Sequence, residues 1–153
     1  MSTQLPITSR YQLWHFNQTT ESLLDAELDS WQEVAERDGL NAGIDRLKAL
    51  VPNNGTDLQQ VFRAIAAMDE RPDNIFLITD GLPTLGERGS RTGLVTPKDR
   101  LDRFEDALDA LPDNIPVNIV LLPLEGDPSA SAAYWQLAQI SRGSFITPSK
   151  DWP

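Results

Sequence analysis

The sequence predicts an α/β fold with a mostly parallel, doubly wound sheet and helices on both of its faces. The run Ile75–Ile78 is apolar without alternation, which is typical of a strand buried on both faces in the middle of a parallel sheet. A second strand over Val117–Leu122 contains the apolar run Ile119–Leu122, and segments with helical apolar spacing stand between the strand candidates. We expect one domain of 153 residues, with a lead-in at 1–10, a core at 11–146 and a tail at 147–153.

The first third of the chain predicts two strands and a helix. Tyr11–Phe16 is rich in aromatic residues and indicates a strand, and Ser22–Leu24 indicates a short edge strand. Trp31–Val51 has one apolar helical face, but Gly39 and Gly43 predict a break in its first half.

The middle of the chain contains the element around which the rest is organised. Thr56 is a natural N-cap for a second helix. The central strand Ile75–Thr79 then ends at Asp80, and Gly81 allows a sharp turn. The polar stretch Leu82–Val95 is too long for a plain connection, so we expect a mobile loop over the site.

The last third predicts two helices and two strands. Thr96 and Pro97 are favourable residues for the start of a helix, and the negative charge of Asp99 suits the positive, N-terminal end of the helix dipole. The charged residues of this helix, Arg100 and Arg103 among them, indicate a solvated face. The other elements are a strand over Val117–Leu122, a helix over Ala130–Arg142 with Gly143 as its C′ residue, and a strand over Ser144–Ile146.

Composition excludes several classes of protein. The formal net charge is −10, from 23 acidic and 13 basic residues, which argues against nucleic acid or an anionic membrane as the main partner. The sequence has no cysteine, so disulfides and thiolate metal sites are excluded. The apolar runs are too short to span a bilayer, and residues 1–10 lack the segments of a signal peptide. As written, the chain is expected to be cytoplasmic.

Two polar side chains are predicted to meet at one edge of the sheet. Thr56 opens a helix and Asp80 closes a strand, and ligands of open α/β sheets bind where strands end. A hydroxyl and a carboxylate are hard oxygen ligands that suit Mg²⁺. The alternative is that Asp80 only caps a helix or shapes a turn.

Several segments resemble, in order and spacing, the von Willebrand factor type A domain. The segment 11–17 is similar to the family's second strand, and 53–58 to its glycine-threonine metal loop. The segment 75–83 is similar to the fourth strand with the metal aspartate. Finally, 117–127 and 134–145 are similar to the fifth strand, the last helix and the last strand.

This resemblance implies a three-layer, Rossmann-like α/β sandwich that binds proteins through a cation. In the family's metal-ion-dependent adhesion site, Thr56 matches the second ligand element and Asp80 the third, and an acidic residue of the partner completes the coordination. Related bacterial proteins are often anchored or exported through upstream segments, which implies an envelope location if such a segment is missing here.

The sequence departs from the family at its start. The first strand and its Asp-x-Ser-x-Ser loop should precede Tyr11, where only ten residues stand. We therefore expect an N-terminally truncated domain with an incomplete Mg²⁺ site, open to self-association or to a complementing chain. A literal Asp-x-Ser-x-Ser occurs at Asp127, Ser129 and Ser131, and a permuted metal site there is a less favoured reading than a loop with a helix cap.

Three functions remain open at this point. The first is a protein-binding module with a partial adhesion site, and the second is a metal-independent interaction or scaffold domain of the same fold. The third and least favoured is a Mg²⁺-dependent phosphohydrolase that uses Asp80, with Arg88 and Arg91 as a phosphate clamp. The sequence has no phosphate-binding Gly-x-x-x-x-Gly-Lys loop and no Gly-x-Ser-x-Gly elbow, so we do not expect an enzyme.

Overall fold

The computed structural model is a mixed α/β structure with small sheets, one of them parallel. It describes residues 6–24, 27–28, 30–51, 55–87, 95–122 and 127–148. Four helices and seven strands lie within these ranges. The chain divides into two compact units, Met1–Asn54 and Gly55–Pro153, so the expected single domain stays a prediction.

The first unit contains two antiparallel strand pairs and a helix. Strand β1 (Arg10–Tyr11) pairs with β4 (Gln32–Glu33), and β2 (Trp14–Phe16) pairs with β3 (Thr20–Ser22). Helix α1 covers Arg37–Ala49.

Three predictions for this unit were wrong in detail. The strand expected over Tyr11–Phe16 is interrupted at residues 12–13, and the edge strand lies at Thr20–Ser22 rather than Ser22–Leu24. The helix expected from Trp31 begins only at Arg37, because Gln32–Glu33 pairs with β1 instead.

The break expected at the glycines of α1 does not occur. Both Gly39 and Gly43 lie inside the helix. A Cβ atom on Gly43 would stand 2.7 Å from Leu13 Cδ1 and 3.1 Å from Leu24 Cδ2. The missing side chain therefore lets these leucines approach the helix closely, which offsets the low helix propensity of glycine.

The second unit holds a three-stranded parallel sheet and three helices. Strands β5 (Ile75–Thr79), β6 (Val117–Leu121) and β7 (Phe145–Ile146) lie in the order β5-β6-β7. Helices α2 (Leu58–Ala66), α3 (Pro97–Ala110) and α4 (Ala130–Ser141) alternate with them along the chain. The predicted alternation of helices and parallel strands is confirmed for this unit.

The two faces of the sheet differ in burial. On one face the central residue of β5, Leu77, is only 5% exposed, and its neighbour Ile119 on β6 is fully buried. On the other face Phe76 is 60% and Ile78 56% exposed, and Ile146 of β7 is exposed as well. The prediction that this strand is buried on both faces was therefore wrong, since only its Leu77 side is buried.

Helix ends follow local signals in α3 and depart from them in α2 and α4. The Thr96 side chain accepts from the Asp99 N–H, and Asp99 in turn accepts from the Thr96 N–H, so the predicted start of α3 is confirmed. In α2 the cap is Asp57, whose carboxylate accepts from Gln60 N at 3.0 Å, and not Thr56. Helix α4 ends at Ser141, and its C-cap residue Arg142 adopts the left-handed conformation (φ 62°) expected one residue later, at Gly143.

No helix among the described residues has both the length and the apolar character needed to cross a membrane.

The lead-in and tail assignments fall partly outside the described residues, since 1–5 and 149–153 are not among them. Arg10, expected in the lead-in, already belongs to β1.

Candidate functional site

Asp80 lies where the sequence predicts it, directly after β5 at the carboxyl end of the sheet. Its side chain is exposed, whereas the next three residues, Gly81, Leu82 and Pro83, are buried. The Thr79 hydroxyl donates to the Gly81 carbonyl at 3.1 Å, which tightens the turn. An exposed carboxylate thus stands immediately before a buried turn.

The turn is held by side chains from two helices. Tyr134 of α4 donates its phenol hydrogen to the Gly81 carbonyl at 2.9 Å. Asp127, just before α4, accepts from Leu82 N at 2.7 Å and forms an ion pair of 3.0 Å with Arg100 of α3. We call Gly81, Leu82, Arg100, Asp127 and Tyr134 the turn cluster.

Each backbone group of Leu82 has a charged partner in the turn cluster. The Arg100 guanidinium donates to the Leu82 carbonyl, with its Nη2 atom at 2.6 Å, and Asp127 accepts from the Leu82 N–H. A Cβ atom on Gly81 would stand 2.8 Å from Asp127 Oδ2 and 2.9 Å from Arg100 Nη2. Glycine is therefore needed at position 81 because the ion pair occupies that space.

Thr56, the second predicted ligand, is fixed through its backbone to the same loop. Its N–H donates to the Thr84 hydroxyl at 3.0 Å, and its carbonyl accepts from Thr84 N at 3.1 Å and Leu85 N at 3.0 Å. Arg103 of α3 donates to the Thr84 carbonyl from the other side. The loop after β5 is thus tied to the start of α2 and to α3.

These contacts bear on two expectations. The backbone of residues 82–87 is bound at Leu82, Thr84 and Leu85, and the mobility expected of this loop stays a prediction. Arg103, expected on a solvated face, is 5% exposed. Residues 88–94 of the expected mobile loop, Arg88 and Arg91 among them, lie outside the described residues.

The literal Asp-x-Ser-x-Ser segment is engaged in packing. The Asp127 carboxylate is 7% exposed and pairs with Arg100, and that pair satisfies its charge. Ser129 occupies the N-cap position of α4 but makes no side-chain cap hydrogen bond, and Ser131 is exposed on the helix. The permuted metal site would need the Asp127–Arg100 pair to break.

Burial and the neighbouring charges shift the pKa of the Tyr134 phenol. Burial raises the pKa of its phenol well above the ordinary value, and the carboxylates of Asp127 and Asp80 raise it further. A hydrogen bond with Thr79 and the positive charge of Arg100 oppose this increase. The phenol therefore stays protonated and remains a hydrogen-bond donor to Gly81.

The described residues supply an incomplete set of metal ligands. No group of three or more Asp, Glu, His or Cys side chains placed to hold a metal ion occurs within the described ranges. Of the predicted ligands, Thr56 and Asp80 remain, while Asp127 is occupied by Arg100. Mg²⁺ keeps its waters tightly and needs near-octahedral oxygen ligands, so two side chains do not make a complete site.

Tyr134, Arg100 and Arg103 were missed as site residues. Tyr134 had no predicted role of its own within the last helix, and both arginines were predicted on a solvated face. The spacing of Arg100 and Arg103, three residues apart and hence on one helix face, is the signal that indicates a shared target. Both donate to backbone carbonyls of the loop after β5.

Comparison with known proteins found no match among family models, curated proteins or solved structures. The resemblance to the von Willebrand factor type A domain therefore rests on the sequence segments described above.

Proposed function

We propose that the chain is a protein-binding module of the von Willebrand factor type A kind, with a partial metal-ion-dependent adhesion site at Thr56 and Asp80. In this proposal the three-stranded sheet is part of the family's doubly wound, three-layer sandwich. A protein partner contacts the carboxyl end of the sheet and offers an acidic residue toward the cation.

The observation that carries the proposal is the placement of Asp80. Its exposed carboxylate directly precedes a turn whose carbonyl and amide groups are bound by Tyr134, Asp127 and Arg100. A side chain on such a fixed turn loses little conformational entropy when it binds, which favours recognition.

Thermal unfolding of the whole chain in EDTA and then in Mg²⁺ tests the metal part of the proposal. Mg²⁺ at ten times its Kd stabilises a folded protein by about 1.4 kcal/mol, which raises Tm by about 3 °C for a chain of this size. We expect this rise in the wild type and its loss in Asp80→Ala. Asp113→Ala, which removes an exposed acid elsewhere, is the matched control and should keep the rise.

A second candidate, the metal-independent interaction domain, is favoured by one specific contact. The ion pair between Asp127 and Arg100 removes the only other carboxylate that contacts the turn in the described part of the chain. If this candidate holds, Tm is the same in EDTA and in millimolar Mg²⁺, and Asp80→Ala changes neither value.

A further inference from the structure

Helix α4 has one buried face and one exposed face. The buried face, which packs against β6 and α3, consists of Ala130, Ala133, Tyr134, Leu137 and Ala138. On the other side, Trp135 is 56% and Ile140 59% exposed, although both are large and apolar. Ala132, Gln136 and Gln139 are exposed beside them. We call these five exposed residues the α4 face.

The α4 face carries no charge. Within the described ranges, α4 is the only helix without a charged residue, whereas 24% of the whole chain is charged and the formal net charge is −10. Two copies of the chain can therefore join at this face without placing like charges opposite each other. A strongly charged partner would find no opposite charge on the helix.

The order of side chains along the α4 face is complementary to itself. Ala132, Gln136 and Ile140 are four residues apart and form one ridge of the helix. In an antiparallel pair with a two-fold axis at Gln136, the small Ala132 of each copy lies opposite the large Ile140 of the other. The two Gln136 amides meet at the axis, and since an amide both donates and accepts, they can hydrogen-bond to each other.

The antiparallel direction also suits the ends of the helix. Arg142, the first charged residue after α4, is exposed. In a parallel pair the two Arg142 side chains would be neighbours, but in the antiparallel pair they are about 18 Å apart along the helix axis. This exceeds the screening length of about 8 Å at physiological salt, so their repulsion is small. The opposite ends of the two helix dipoles are also brought together.

Trp135 provides the largest side chain of the α4 face. It is one residue from Gln136, so the two indoles of an antiparallel pair lie side by side near the axis. Tryptophan is one of the residues that contribute most to binding when an interface buries them.

We propose that the chain forms a weak homodimer through the α4 face, with the two helices antiparallel and Gln136 at the two-fold axis. A pair of 12-residue helices buries on the order of 1,000 Å², the lower limit for a specific interface, so the dimer forms at high protein concentration. The α4 face contains neither Thr56 nor Asp80, and every test is made in EDTA. The result is therefore independent of the metal site.

Disulfide crosslinking tests the register of the pair. The chain has no cysteine, so an introduced one reports contact between copies. Under mild oxidation Gln136→Cys should form a linked dimer about tenfold faster than Ala132→Cys, because residue 136 faces its own counterpart. The two copies of residue 132 would be about 12 Å apart along the axis, too far for a disulfide.

A mixture of Ala132→Cys and Ile140→Cys completes this test. It should give the mixed dimer, because residues 132 and 140 of different copies face each other in the antiparallel pair. Equal rates for Gln136→Cys and Ala132→Cys overturn the proposal. Efficient linking of each of the three variants with itself indicates a parallel pair and overturns it as well.

Sedimentation equilibrium measures the dimer without a crosslink. The weight-average mass of the wild type should rise with concentration from 17.0 kDa toward twice that value. Trp135→Lys and Ile140→Lys should each weaken the dimer by about tenfold, because each brings a charge into the interface. Leu47→Lys changes an apolar residue of α1 that is 51% exposed, and it should dimerise like the wild type. A wild-type mass of 17.0 kDa up to the solubility limit overturns the proposal, and so does equal weakening by all three variants.

Discussion

The phenol of Tyr134 donates a 2.9 Å hydrogen bond to the carbonyl of Gly81, and both residues are buried. This contact joins helix α4 to the turn that follows Asp80. Because Asp127 and Arg100 bind the next residue, Leu82, the position of Asp80 depends on side chains from α3 and α4. Changes in the turn cluster should therefore alter stability and the candidate site together.

Tyr134 should make the protein sensitive to alkaline pH. Burial raises the pKa of its phenol above the unfolded value of about 10. Its contribution to stability is complete below pH 10 and is lost as pH rises above 10, because the unfolded state then releases the proton first. The free energy of unfolding from this group should fall by up to about 1.4 kcal/mol per pH unit.

Urea unfolding of the wild type and Tyr134→Phe between pH 8 and 11 measures this dependence. The variant loses a hydrogen bond, which costs about 1 kcal/mol at pH 8. Tyr11, the other tyrosine, is present in both proteins and serves as an internal control. The difference in the free energy of unfolding between the two proteins should shrink above pH 10. A constant difference would show that burial does not raise the pKa of the Tyr134 phenol.

Asp127→Asn should destabilise the protein strongly. The substitution leaves an acceptor for Leu82 N but removes the charge that balances the Arg100 guanidinium, and breaking a buried ion pair costs about 3 kcal/mol. Asp102→Asn is the matched control, since its partner Lys98 is exposed to solvent and the pair is screened. We expect a large fall in the urea midpoint for the first variant and almost none for the second; similar midpoints would contradict the structural role of Asp127.

Gly143→Ala tests how closely α4 approaches the sheet. A Cβ atom at this position would overlap the carbonyl oxygen of Val117, a backbone atom that cannot move without disturbing β6. We expect a loss of about 3 kcal/mol or more in the free energy of unfolding. Gly39→Ala is the comparison, because its Cβ would meet only Tyr11 Oη at 3.5 Å, and it should gain about 0.5 kcal/mol. Equal effects on the urea midpoint would refute the close approach.

Features set by neighbouring residues could be predicted from the sequence. The start of α3 depends on Thr96, Pro97 and Asp99, which lie within four positions, so it could be predicted from these residues, although the reciprocal hydrogen bond of Asp99 to the Thr96 N–H was not. The parallel strands β5 and β6 were recognised for the same reason, since each contains a short apolar run, Ile75–Ile78 in one and Ile119–Leu121 in the other.

Features that depend on residues far apart in the sequence could not be predicted from it. Tyr134 and Gly81 are 53 positions apart, and Arg103 reaches a carbonyl 19 positions away, so neither partner can be identified from the neighbouring residues. The exposure of Phe76 could not be predicted either, because it depends on which other elements lie against the strand. An apolar run indicates that a strand can be covered on both faces, but only the other elements decide whether it is.

The unequal faces of β5 lead to the last prediction. Leu77→Ala removes a side chain that is 5% exposed and packed within the second unit, which should cost about 2–5 kcal/mol. Ile78→Ala changes the next residue on the uncovered face, and surface substitutions of this kind stay within about 0.5 kcal/mol. Urea unfolding of the two variants measures the difference directly. Equal and large losses would contradict the exposure of Ile78 and mean that this face of β5 is covered in solution.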